Sequence, residues 1–93
     1  MISSFRDNRT ASVFLGAAPK GFPRDIADSA RRKLRMLDVT KVLADLRTPS
    51  GNRLEALRGD RAGQHSIRTN DQWRVCFRWQ EGNAFDVEIV DYH

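Results

Sequence analysis

Residues 73–79 read WRVCFRW, so apolar and polar side chains alternate along this stretch. Such alternation is typical of a β-strand that buries one face, because successive side chains point to opposite sides of a sheet. Residues 85–90 read FDVEIV and show the same period, and the intervening Glu81-Gly82-Asn83 is typical of a hairpin turn. The sequence therefore predicts two adjacent antiparallel strands here.

The first half of the chain has a helical period instead. From about Arg24 an apolar stripe recurs at Ile26, Ala30, Leu34 and Leu37. A short helix over 8–16 is predicted with Ala11, Phe14 and Leu15 as its apolar side, and a second helical piece over 39–46 adds Val42, Leu43 and Leu46. Shorter strands are predicted at 2–5, 53–57 and 64–69. Helices followed by a meander of strands indicate one α+β domain over 1–93, with helices on one face of a small, twisted, mostly antiparallel sheet.

Charge is distributed unevenly along the chain. The formal net charge is +4, and residues 1–47 carry ten Lys or Arg against five Asp or Glu. Residues 48–93 have six Arg and no Lys. Arginine binds phosphate and stacks on bases through its planar fork, so this choice favours a nucleic-acid partner. Charged strand faces that serve solubility are an equally good interpretation on charge alone.

Other features of the sequence indicate the cellular compartment and exclude several kinds of site. No signal peptide and no stretch of about 20 apolar residues is visible, which predicts a cytoplasmic protein without a membrane partner. The single cysteine, Cys76, excludes an internal disulfide and is expected to be a buried, unreactive thiol. With no Cys/His cluster, P-loop or dinucleotide-binding glycine pattern, we expect neither a metal nor a cofactor.

The remaining residue types suit RNA cleavage without a metal. That reaction needs a base for the 2′-hydroxyl proton, an acid for the leaving 5′-oxygen and cations for the phosphorane charge. His93 can serve as acid or base, Asp91 can orient or deprotonate, and Tyr92 can stack on a base. Candidate phosphate clamps are Arg58, Arg61, Arg68 and Arg74. A frayed terminal tail is the competing interpretation of the last three residues.

The strand period also predicts which side chains share a face. If Ile67, Trp73, Val75 and Phe77 face the helices, Arg68, Arg74 and Arg78 lie on the opposite, open face of the sheet. His65 would then share the core side with Ile67, as a packed residue. The chain end would lie at the tip of the last strand, beside the arginines.

Three stretches carry a resemblance to a known family. Residues 51–68 read GNRLEALRGDRAGQHSIR, residues 70–77 read NDQWRVCF, and the chain closes with VEIVDYH. In order and spacing this pattern resembles the HigB branch of the RelE-type toxins, over essentially the whole chain. The resemblance implies a compact fold like that of microbial ribonucleases, cleavage of mRNA in the ribosomal A site, and inhibition of translation. It also implies neutralisation by a HigA-like helix-turn-helix antitoxin, through which alone the toxin would meet DNA.

The resemblance assigns roles to individual residues. Asp91, Tyr92 and His93 match terminal residues implicated in catalysis. The implied contacts to mRNA and 16S rRNA are Arg58, Arg61, Arg68 and Arg74. For Arg74 a structural role is the alternative, because it lies deep in a central strand.

One position departs from the pattern. Some members of the branch have a catalytic His in the strand before "L-(K/R)-G-D-R", where this chain has Glu55. Either the carboxylate replaces imidazole as general base, or His93 is the only imidazole at the site and cleavage is slower. Two alternatives to a ribosome-dependent endoribonuclease therefore stay open: a weakly active module that acts in a repressor complex with its antitoxin, and a domain that binds or cuts RNA without the ribosome.

Overall fold

The computed structural model describes residues 1–91, and within that range two helices pack on one face of a four-stranded sheet. The helices are α1 (Asn8–Phe14) and α2 (Arg24–Val39). The strands are β1 (Glu55–Ala56), β2 (Gln64–Arg68), β3 (Trp73–Gln80) and β4 (Asn83–Asp91). They are antiparallel and adjacent in chain order, which confirms the predicted α+β architecture. No helix in this range is long and apolar enough to cross a membrane.

Helix α2 supplies most of the helical side of the core. Its predicted apolar stripe is buried, as is Ala27 beside it. The helix starts directly after its N-cap residue, Pro23, whose backbone (φ −54°, ψ 147°) lies outside the helix, and Asp25 in the first turn is favourable at this end of the helix dipole. The stripe packs on the apolar face of the sheet, where Ile67, Val75 and Phe77 have no exposed surface. Burial of this shared surface holds the two layers together.

Helix α1 is present, but its predicted apolar side is only partly right: Phe14 packs against the core. Thr10 and Val13 are buried, whereas Leu15 is 83% exposed. The Asp7 carboxylate caps the helix by accepting a hydrogen bond from the Thr10 amide at 2.7 Å. Thr10 in turn accepts a hydrogen bond from the Ile89 amide of β4 at 3.1 Å, so this polar residue faces the sheet. Threonine is polar and is not counted in an apolar stripe. The hydrophobic spacing therefore could not indicate that Thr10 faces the sheet.

Three connecting segments differ from the prediction. The second helical piece is a 3₁₀ turn over Leu43–Arg47, in which Leu46 is buried, and Val42 before it is 57% exposed. Residues 2–5 form only two isolated parallel bridges to β4, at Ile2 and Phe5. The strand predicted over 53–57 is reduced to β1, because a further 3₁₀ turn, Ser50–Asn52, ends in a left-handed Arg53.

The register of the sheet sorts the side chains onto two faces. Ile67, Val75 and Ile89 are cross-strand neighbours on the face covered by the helices. The adjacent row runs from Glu55 through Ser66 and Cys76 to Glu88, on the opposite face. Arg68 and Arg74 pair across β2 and β3 on this second face, as predicted. We call this second side the open face.

The Thr10 hydrogen bond provides a test of the packing of α1. Thr10→Val keeps the shape of the side chain but leaves the buried Ile89 amide without its acceptor, so we expect the free energy of unfolding to fall by about 1–3 kcal/mol. Urea denaturation measures the change. Thr10→Ser is the matched control, since it keeps the oxygen and should cost less. A Val variant as stable as the Ser variant would contradict this contact.

Candidate functional site

Charged side chains cluster on the open face around the row from Glu55 to Glu88. Arg61 reaches it from the 3₁₀ turn Gly59–Arg61 between β1 and β2. Its Nη1 lies 3.2 Å from Glu88 Oε1 and donates to Gln64 Oε1 at 3.1 Å. Arg6 Nε lies 3.8 Å from the same Glu88 oxygen. Glu88 therefore holds Arg61 against the strands.

Arg74 is anchored at the centre of the open face. Its Nε donates to Ser66 Oγ at 2.8 Å, and its Nη2 donates to the Arg53 carbonyl, also at 2.8 Å. Nη2 is also 3.9 Å from Glu55 Oε2, and the side chain is 13% exposed. These contacts give Arg74 a structural role in joining β2, β3 and the segment before β1. The same contacts fix the position of its positive charge beside Glu55.

A depression of about 240 Å³ lies next to Arg74. Its lining consists of Arg53, Arg68, Asn70, Asp71 and Arg74. Arg68 forms an ion pair with Asp71 at the rim, and the Asp71 side chain is 95% exposed. Three arginines line this one polar depression, which suits a phosphate group, because Arg can bind phosphate with two parallel hydrogen bonds.

Glu55 and Arg58 line a second depression, of about 390 Å³, along β1. The Glu55 side chain is 54% exposed and thus accessible to a substrate, although it lies near Arg74. Arg58 is exposed. Glu55 thus shares this depression with Arg58 and also lies 3.9 Å from the Arg74 guanidinium.

The predicted terminal residues are only partly within the described range. Asp91 ends β4 opposite Trp73, and its Oδ2 accepts a hydrogen bond from Gln72 Nε2 at 3.1 Å. Cross-strand partners share a face of the sheet, and Trp73 packs against the core. Asp91 therefore belongs to the helix-covered face, at the end of the sheet. Tyr92 and His93 lie outside the described residues. Their catalytic role stays a prediction, as does that of Asp91.

Comparison with known proteins identifies the family. Residues 3–93 match the family described as "RelE-like toxin of type II toxin-antitoxin system HigB". The chain belongs to this family. The toxin HigB-1 of Vibrio cholerae is 44% identical over 67 residues, which are 72% of this chain and 70% of that protein. The endoribonuclease HigB of Proteus vulgaris is 29% identical over 93 residues, the full length of both chains.

The fold of this HigB-like toxin recurs in a solved structure. A crystal structure of a YafQ variant from E. coli superposes with a TM-score of 0.59 at 10% sequence identity, covering 98% of this chain and 93% of that one. This likeness concerns the fold. Family membership makes the chain a type II toxin, and a protein of this kind has an antitoxin as its partner.

Three polar residues of the toxin's open face were missed by sequence reasoning. Ser66 and Glu88 share the face of Arg74, and counting alternate residues along their strands would have placed them there. Arg53 lines the depression next to Arg74, and its carbonyl accepts a hydrogen bond from Arg74. A backbone contact of this kind leaves no trace in a sequence. Among residues 1–91, no three His, Cys, Asp or Glu side chains lie together as a candidate metal site.

Cys76 lies under this charged layer rather than in the helix-covered core. The side chain is fully buried, as predicted for a structural thiol, although it shares the row of Ser66 and Glu88. Burial raises the pKa of the Cys76 thiol above 9.0, a rise that Glu88 and Glu55 reinforce and Arg61 and Arg74 oppose. The native state therefore keeps this thiol neutral at a pH where an unfolded chain ionises it.

The raised pKa of Cys76 predicts a loss of stability in alkali. From about pH 9.0 upward, the unfolded chain releases the thiol proton while the native protein retains it, so the free energy of unfolding should fall with pH. Urea denaturation at pH 7 and pH 10 measures this loss for the wild type and for Cys76→Ala, which keeps every other titrating group. The variant should lose less stability than the wild type over this interval. Equal losses would contradict a thiol held neutral by burial.

Proposed function

We propose that this toxin is a ribosome-dependent endoribonuclease that cleaves mRNA in the A site and so inhibits translation in the cytoplasm. The observation that carries the proposal is the convergence of Arg53, Arg68 and Arg74 on one depression beside Glu55. Guanidinium groups preorganised around a phosphate stabilise the charge that develops when RNA is cut. The name of the Proteus vulgaris relative, endoribonuclease HigB, supports the same chemistry.

The reaction follows from the residue types at the site. A base removes the proton of the 2′-hydroxyl, the 2′-oxygen attacks phosphorus, and an acid protonates the departing 5′-oxygen. The products are a 2′,3′-cyclic phosphate and a 5′-hydroxyl. Glu55 and His93 are the proposed acid–base groups, since both types of side chain transfer protons in enzymes. Asp91 orients the terminal residues and Tyr92 stacks on a base.

In this proposal the arginines bind different parts of the RNA. Arg74, with the lining of its depression, contacts the reacting phosphate. Arg58 and Arg61 lie towards β1 and the turn before β2, where they extend the cationic surface for flanking mRNA or 16S rRNA. The partner antitoxin is a HigA-like helix-turn-helix protein in this proposal, and contact with DNA occurs only through it.

A second candidate function rests on the ion pairs of the open face. Arg61 is paired with Glu88, and Arg68 with Asp71, so part of the cationic surface is neutralised within the chain itself. Together with Glu55 in place of a family His, this favours a weakly active module that acts mainly in a repressor complex with its antitoxin. Growth arrest by the wild type no stronger than that by His93→Ala would support this second candidate.

Primer extension on an mRNA translated with purified ribosomes tests the leading proposal. We expect new 5′ ends in A-site codons, and none on the same RNA without ribosomes. His93→Ala and Tyr92→Ala should lower cleavage by about a hundredfold or more with little change in thermal stability, because the proposal gives both side chains a role in the reaction. Glu55→Gln should also lower it, whereas Glu81→Gln, an exposed charge control in the β3–β4 turn, should not.

Other results of these experiments would contradict parts of the proposal. Absence of new 5′ ends would overturn cleavage on the ribosome, and equally fast cutting of naked RNA would overturn ribosome dependence. If the His93 and Tyr92 variants unfold, the terminal residues are structural. If Glu55→Gln retains full activity, this carboxylate is not the general base.

A further inference from the structure

A buried asparagine organises the segment that precedes β1. Asn52 has no exposed surface and ends the 3₁₀ turn Ser50–Asn52. Its Nδ2 donates to the Leu46 carbonyl at 3.0 Å, and its Oδ1 accepts from the Lys33 ammonium of α2. Asn52 thereby ties this turn both to helix α2 and to the preceding 3₁₀ turn. A buried amide with partners on both ends specifies one arrangement of the chain, since every alternative leaves a polar group unpaired.

The next residue adopts a strained backbone conformation. Arg53 has φ 45° and ψ 57°, in the left-handed region that residues other than glycine seldom occupy. The Asn52 anchor immediately before it is in a position to hold this conformation. In this left-handed conformation the Arg53 carbonyl accepts a hydrogen bond from Arg74 Nη2.

Ser66 supplies a second anchor on the same edge of the Arg74 guanidinium, the edge formed by Nε and Nη2. Ser66 is fully buried on the neighbouring strand, and its Oγ accepts from Arg74 Nε. One bond to Nε and one to Nη2, from two different segments, fix both the location and the plane of the group. Arg74 is thus already ordered before any ligand is present.

Order of this kind has a consequence for catalysis. A long side chain that is fixed in advance loses little conformational freedom when a phosphate binds, and its charge needs no reorganisation in the transition state. An arginine that samples several rotamers would place its charge correctly only part of the time. For a reaction whose catalysis depends on position, a small displacement changes the rate by up to about a hundredfold.

We propose that Ser66 and Asn52 are positioning residues for Arg74: Ser66 directly, and Asn52 through the backbone of Arg53. This inference rests on the proposed function for its effect on RNA cleavage, but the ordering of Arg74 itself does not. Neither residue needs to touch RNA, since Ser66 and Asn52 are both buried. The Lys33–Asn52 bond links helix α2, on the other side of the sheet, to the orientation of a cation on the open face.

A double-mutant cycle tests the effect on cleavage. In the ribosome assay, Ser66→Ala should lower the rate by about tenfold to a hundredfold with KM little changed. In an Arg74→Ala background the same change should add less than about twofold, because residues that act through one group are not additive. Asn52→Asp, which removes the amide donor at constant size, should behave in the same way. Ser12→Ala on α1 is the matched control and should leave the rate unchanged.

A second measurement follows Arg74 without reference to activity. In protein labelled with ¹⁵N-arginine, the Nε–H signal of Arg74, assigned by its loss in Arg74→Lys, should exchange slowly with solvent and report a rigid side chain. Ser66→Ala should make it fast-exchanging and mobile, while Ser12→Ala should not. Should Asn52→Asp fail to fold, Ser66→Ala alone carries both measurements.

The two readouts separate the inference from the function on which it rests. A wild type that does not cleave mRNA but has a rigid Arg74, loosened by Ser66→Ala, would overturn the proposed function and support the positioning. An Arg74 signal that is mobile in the wild type would overturn the positioning whether or not mRNA is cut. In a cleaving protein, equal effects of Ser66→Ala with and without Arg74 would also overturn it, because Ser66 would then act through something other than Arg74.

Discussion

The register between β2, β3 and β4 is the constraint on which the rest of the molecule depends. Because side chains alternate along a strand, burying Ile67, Val75 and Ile89 under helix α2 places their neighbours on the open face. A slip by one residue would exchange the two sets, turning Arg74 into the core and Val75 into water. The apolar contact with α2 thus determines not only stability but also which side of the sheet carries the charge.

The open face combines cations with a smaller set of carboxylates from the same chain. Glu88 faces Arg61, Asp71 faces Arg68, and Glu55 approaches Arg74. Interleaving reduces repulsion among arginines that lie close together. In the proposed function, RNA competes with Glu88 and Asp71 for the exposed arginines, whereas Arg74 is held by Ser66 and the Arg53 carbonyl. The candidate site therefore combines one fixed arginine, Arg74, with arginines in exposed ion pairs around it.

Much of this could be predicted from period and spacing, and the failures have physical causes. Alternation in residues 73–79 correctly separated Val75 and Phe77 from Arg74. Of the predicted apolar side of α1, Phe14 packs against the core but Leu15 is exposed, because a buried hydrogen bond turns Thr10 inward, which no hydrophobic pattern encodes. The short β1 and the anchoring of Arg74 both follow from the left-handed Arg53, a backbone feature without a sequence signature in a residue of this type. Catalytic roles for the terminal residues rest on family resemblance alone, since alternation determines a side but not a chemical function.

We propose that the open face acts on RNA, and not the helical half of the chain, although residues 1–47 carry the larger excess of positive charge. The most direct measurement compares single-turnover cleavage of translated mRNA by Arg58→Ala and Arg68→Ala with that by Arg32→Ala and Arg35→Ala, whose side chains are exposed on α2. All four changes remove one positive charge, so net charge is matched. We expect losses of about tenfold to a hundredfold for the first pair and rates near wild type for the second. Equal losses in both pairs, or a larger loss on α2, would contradict this proposal.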